Sequence, residues 1–154
     1  MAFPSPPRSG PNRRAAVTVE LALVAPLLIA LLLGIVDVGQ YVNVSQTVSN
    51  ACREAARLAA QHSTATEAEV KSTFSAYLAN SFPHIPQSTF DSVATVSVSD
   101  AGGNPIAAGD LTGLTTGSAL TVDVVVPFDT VRWMEALPWL SGRSLAISTT
   151  VRRE

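Results

Sequence analysis

The sequence predicts an α+β protein: a long N-terminal transmembrane helix that runs on into a domain with a second helix and a small antiparallel sheet. Three observations carry this. Leu21–Val36 contains no charged residue. Apolar residues then continue at three- and four-residue steps from Val38 to Leu58, which is one face of a helix. Beyond Pro86 the apolar period changes to two, in three separate runs.

The chain has 154 residues, enough for one modest domain and an appendage. Charged residues make up 14%, against roughly 25% in an average soluble domain, and the deficit is concentrated in the apolar run. A net charge of -2 offers no basic excess for nucleic acid. Its sign is unevenly placed. Arg8, Arg13 and Arg14 precede the apolar run, and no acid appears before Glu20. By the positive-inside rule the N-terminus stays cytoplasmic and the C-terminal bulk is exported. Cys52 is the only cysteine, so no intrachain disulfide forms and packing must hold the exported part.

Taken in order, residues 1–15 read as a disordered basic leader, with four prolines by Pro11. Residues 16–37 read as the transmembrane helix; Pro26 is tolerated there because neighbours re-satisfy the freed carbonyl. Residues 38–154 form the exported α+β domain. No strong breaker lies between Val38 and Gln61, so a single helix is expected from about Ala16 to Gln61, roughly 70 Å long and more than twice the hydrocarbon thickness. Its apolar face is Val38, Tyr41, Val44, Val48, Ala51, Ala55 and Leu58. Its polar face is Gln40, Asn43, Asn50, Arg53 and Arg57.

A second helix follows. Thr66 with Glu69 fits a capping box, and Val70, Phe74, Tyr77 and Leu78 form its apolar stripe. Pro83 and Pro86 end it. Strands are expected around Ala94–Val98, Leu120–Val126 and Leu145–Val151, where apolar and polar residues alternate, and Asp100–Pro105 is turn chemistry. Residues 129–142 (DTVRWMEALPWLSG) are expected to form a short helix whose Trp133 and Trp139 cover the open side of the sheet.

Glu20 has two readings. It either marks the membrane edge, where a carboxylate costs little, or is buried by assembly and needs a cation. No Lys or Arg lies between Arg14 and Arg53. Cleavage just before Ala16 would create a free α-amino group with Glu20 as the fifth residue. Neighbouring helices staggered by about one turn would then set amine against carboxylate.

The residues AVTVELALVAPLL (16–28), GIVDVG (34–39) and SNACREAAR (49–57) resemble the TadE-like family, pseudopilins or minor pilins of Flp-type, tight-adherence pilus systems. The basic stretch, small residue and Glu20 before an apolar helix resemble a prepilin-peptidase signature. Ala15 stands where these peptidases prefer Gly, and Leu21 where Phe or Tyr is usual. The resemblance implies a pilin-like exported domain, processing at Ala15–Ala16 with Glu20 as its marker, and partners: a prepilin peptidase, a pilus ATPase with its platform proteins, and the major pilin. It implies a single-pass protein of the bacterial cytoplasmic membrane that is incorporated into, or primes, a surface filament. The alternative is an uncleaved bitopic protein whose exported domain binds an envelope ligand or partner.

Asp37 and Gly39, where the helix leaves the bilayer, are assembly or packing candidates against a plain reading of interfacial acid and packing glycine. Arg53, Glu54 and Arg57 are docking candidates against a solvated-face reading. Asn50 and Glu54 are spaced to interact, whereas Arg53 and Glu54 are not. Cys52 reads as buried-helix material. His62 and His84 lack ligand spacing, so no metal or cofactor is expected. No nucleophile–base set or phosphate loop is present, and no enzyme is expected.

Overall fold

In a computed structural model, the described residues are 12–61, 63, 66–106, 110–134 and 140–154. The N-terminal helix α1 is unbroken over Asn12–Ala60, 49 residues, with Pro26 inside it. It begins within the stretch expected to be leader; Met1–Pro11 lie outside the described residues. From residue 15 to 36 the helix is almost bare, and Leu23 and Leu27 are among its most exposed side chains. Burial begins at Asp37 and Gln40 and continues through Val44, Val48, Ala51, Cys52, Ala55, Ala56 and Ala59. Thus one helix has two solvents. Its first half keeps its apolar surface outward, and its second half turns a stripe of mostly small residues onto the rest of the chain.

The second helix, α2, spans Glu67–Ser81. Thr66 is its N-cap, its Oγ1 accepting from Glu69 N at 3.4 Å, as the Thr66/Glu69 spacing predicts. Val70, Phe74 and Leu78 are buried. After Pro83, the chain forms a short third helix, α3, Gln87–Val93, with Pro86 as N-cap and Phe90 buried. That helix was not expected, because a seven-residue element with one apolar anchor has no period to read.

The sheet contains three antiparallel strands in the order β1 (Thr95–Asp100), β2 (Ala119–Pro127) and β3 (Ser144–Arg152). Val98 pairs with Val122, and Val122 with Thr149, so the inward residues line up across the sheet. Val96, Val98, Leu120, Val122, Val124, Val126 and Leu145 are buried. This face packs under α1 and α2; the other carries Ser97, Asp123, Ser148 and Thr150 toward solvent. The turn after β1 closes on Asp100, whose Oδ1 accepts from Gly102 N at 2.8 Å and Asn104 N at 2.9 Å. Gly103 there takes a φ of +77°, which favours glycine.

The stretch 129–142 differs from expectation. Its helix, α4, is short and starts earlier, Phe128–Val131. Trp133 does not cover the sheet: it is 68% exposed and lies against α1 instead. Trp139 lies outside the described residues. Gln40, assigned to the polar face, is buried for the same reason. Its amide oxygen, turned toward Trp133, accepts from Trp133 N at 2.6 Å and Nε1 at 3.1 Å.

The C-terminus closes the domain at the far end of α1. Arg153, 2% exposed, donates from Nη1 to Ala59 O at 2.9 Å, and Glu154 N donates to Ala60 O at 2.8 Å. These bonds satisfy carbonyls that a helix end leaves open, and the cation suits the negative end of the helix dipole.

Candidate functional site

The residues singled out by sequence fall at three levels along α1. At the first level, Ala15, Ala16 and Glu20 are exposed on the bare part of the helix. The Ala15–Ala16 bond lies within the first turn, since α1 already starts at Asn12. From residue 15 to 36 the helix rises roughly 33 Å, close to the ~30 Å of a bilayer core. Glu20 therefore sits about one turn inside the N-terminal edge of such a span.

The second level is the junction where the helix meets the domain. Asp37 is 1% exposed. Its Oδ2 lies 3.8 Å from Arg132 Nη2, and the Arg132 side chain is 4% exposed. The same guanidinium organises the segment after α4: Nε donates to Met134 O at 2.9 Å and Nη1 to Ser141 Oγ at 3.3 Å, and Nη1 stands 3.7 Å from Asp129 Oδ1. Asp129 Oδ2 in turn accepts from Gly142 N at 2.8 Å. Asp37 is therefore a buried clamp rather than a plain interfacial acid. Its partner, Arg132, went unrecognised from sequence, because an ion pair between distant segments leaves no local spacing. Gly39 is exposed, and a Cβ added there would meet no described residue within 4 Å.

The third level is the end of α1 farthest from the apolar segment. Arg53 and Arg57 are exposed, and with Thr149, Val151 and Arg152 they line a shallow cleft. Glu54 pairs with Arg57, three residues on, at 2.7 Å; sequence spacing had pointed to Asn50 instead. The hydrogen bond from Arg57 holds the Glu54 carboxyl below its ordinary pKa. The pair is solvated and worth little to stability. Between these levels Cys52 faces the sheet. Its thiol reaches Thr149 Oγ1 at 3.3 Å and Val122 O at 3.6 Å, and burial pushes its pKa up. It is a packed core group, as the sequence indicates. His84 is exposed, and His62 lies outside the described residues.

The arrangement defines a class: an α+β head carried on one helix long and apolar enough, by length and composition, to cross a membrane. The family model described as TadE-like protein matches residues 15–57, from the start of the bare segment to Arg57. The resemblance seen in the sequence is thus borne out over the long helix, and it points to a component associated with Tad pilus systems. No curated protein and no solved structure matches the chain.

Proposed function

We propose that this chain is a membrane-anchored pseudopilin or minor pilin of a Tad (Flp-type) pilus, a structural or assembly component rather than a catalyst. The observation that carries this reading is the extent of the family match. Residues 15–57 take in Glu20, Asp37, Gly39, Arg53, Glu54 and Arg57 on one continuous helix. The N-terminus is cytoplasmic, because Arg13 and Arg14 precede the span and no acid does before Glu20. The head is exported and makes lateral contacts, with Arg53 and Arg57 on its solvated flank. A prepilin peptidase removes Met1–Ala15, and the new α-amino group of one subunit meets Glu20 of a neighbour in lipid, where an unpaired carboxylate is costly. The pilus ATPase with its platform, and the major pilin, are the remaining partners.

A second reading keeps the anchor and drops the processing: an uncleaved bitopic protein whose head binds an envelope component. What favours it is the helical backbone running through Ala15–Ala16 from Asn12. The experiment that separates the two is the mature N-terminus, read by intact mass and terminal sequencing from membranes of cells with and without the peptidase. Peptidase-dependent loss of Met1–Ala15 supports the first reading; an intact N-terminus in both strains supports the second. Glu20→Gln gives the functional counterpart. Under the first reading incorporation into the filament fails while membrane insertion and folding of the head persist; under the second the native chain enters no filament, and Glu20→Gln leaves insertion and folding unchanged.

A further inference from the structure

We propose that the base of the head rests on the bilayer surface, with Trp133 seated in the headgroup layer; this rests on the reading that residues 15–36 of α1 span a membrane. Height along α1 points to this seat. If the span ends at Val36, Gln40 lies four residues farther along the helix, about 6 Å above the hydrocarbon edge. The headgroup zone on each side of a bilayer core is roughly 5–7 Å deep. Trp133 is fixed at that height, because its backbone N and its indole Nε1 both donate to the Gln40 amide.

The indole is nevertheless 68% exposed. A large aromatic tied to α1 through its N–H groups, with its ring bare, is ill-suited to water and well suited to the interface, where Trp is enriched. Other observations fall close to that level. Val38, about 3 Å above the edge, and Val42, about 9 Å above it, are 45% and 47% exposed on the flank of α1 away from Gln40. Beside them a groove of about 300 Å³ opens between Val38, Tyr41, Leu140 and Arg143. Arg143 is exposed there, so its stem can lie along the apolar groove while its guanidinium meets headgroup phosphate. Of the two acids around Arg132, Asp37 is withdrawn from the surface, and Asp129, half exposed, lies 3.7 Å from the Arg132 guanidinium and accepts from Gly142 N. Among the described residues, the base of the head thus turns a bare ring and the Arg143 cation toward the membrane, with Asp129 held beside Arg132.

The test uses the full chain as a Trp139→Phe variant, reconstituted in phosphatidylethanolamine–phosphatidylglycerol vesicles. Trp133 is then the only tryptophan. Its emission is read against nitroxide quenchers placed on the headgroup or deep in the acyl chain, after the vesicles have been floated to show that the protein is inserted. The expected result is stronger quenching by the headgroup nitroxide, several-fold over the deep one, with loss of that signal in Trp133→Phe. If the chain floats but Trp133 emits as a solvated indole and neither quencher acts, the seat is overturned and the anchor stands. Stronger quenching by the deep nitroxide also overturns it. So does a blue-shifted emission that ignores both quenchers and fades on dilution of the protein in lipid, because a second copy then covers Trp133. If the chain does not float, the spanning reading fails and the seat fails with it.

Discussion

Arg132 Nη2 stands 3.8 Å from Asp37 Oδ2, with 4% and 1% of the two side chains exposed. The pair joins the helix to the segment after α4 at the point where α1 passes from bare to buried. Removing one member of a buried pair leaves an uncompensated charge and typically costs on the order of 3–5 kcal/mol, whereas replacing both by apolar groups is often neutral. Asp37→Ala is therefore expected to lower the urea midpoint of the head in detergent sharply. Asp37→Leu combined with Arg132→Met is expected to recover most of that loss. A double variant no better than the single one would show that the clamp matters through something besides its charge.

Arg153 and the end of α1 give a second prediction. Its Nη1 bond to Ala59 O is buried, and hydrogen bonds to charged groups contribute about 1.5–3 kcal/mol. Arg153→Met keeps much of the packing and removes the donor. It is expected to destabilise by that order in equilibrium unfolding and to speed amide exchange in the last turn of α1 before the rest of the helix.

Small residues on α1 give the third. Ala51, Cys52, Ala55, Ala56 and Ala59 are all fully buried, so the helix lies close on the sheet and α2. Overpacking such a contact costs roughly 1–3 kcal/mol or more. Ala55→Leu is expected to lower the melting temperature of the head, while the equally apolar Ala22→Leu, in the bare segment, is expected to leave it unchanged.

Cys52 carries a pH prediction. Burial raises its pKa in the folded state above the ordinary thiol value. The unfolded chain then holds fewer protons than the folded one above the ordinary thiol range. The contribution is complete below that range and is lost as pH rises through it toward the folded value. Alkaline destabilisation is expected to be weaker in Cys52→Ala than in the native chain, compared as slopes of stability against pH. Native Cys52 is expected to react slowly with a maleimide at neutral pH until denaturant is added.

What the sequence made legible was whatever repeats locally. The unbroken α1 followed from uncharged Leu21–Val36 and the Val44–Val48–Ala51–Ala55 stripe, and the sheet from the alternation around Val122 and Ile147. Glu20, Asp37 and Gly39 could be placed on the helix by the same reasoning. What was not legible depends on residues that meet only after folding. Gln40 looked solvent-facing until Trp133 came to cover it. Arg132 and Arg153 carry no local spacing that marks them, yet both side chains are buried against α1. Glu54 was misjudged within one helix, because a partner three residues on competes with one four residues back.

The unbroken course of α1 makes the head a lever. From Asp37 to Ala60 the helix contains no proline and is braced by the sheet, while Pro26 falls in the bare segment below. That braced arm is roughly 35 Å long. Spans commonly tilt by about 20°, and such a tilt swings the Ala60 end sideways by about 12 Å. If residues 15–36 span a bilayer as proposed, a change in their tilt is thus magnified at the Arg53–Arg57 end, where any outside partner would feel it as displacement.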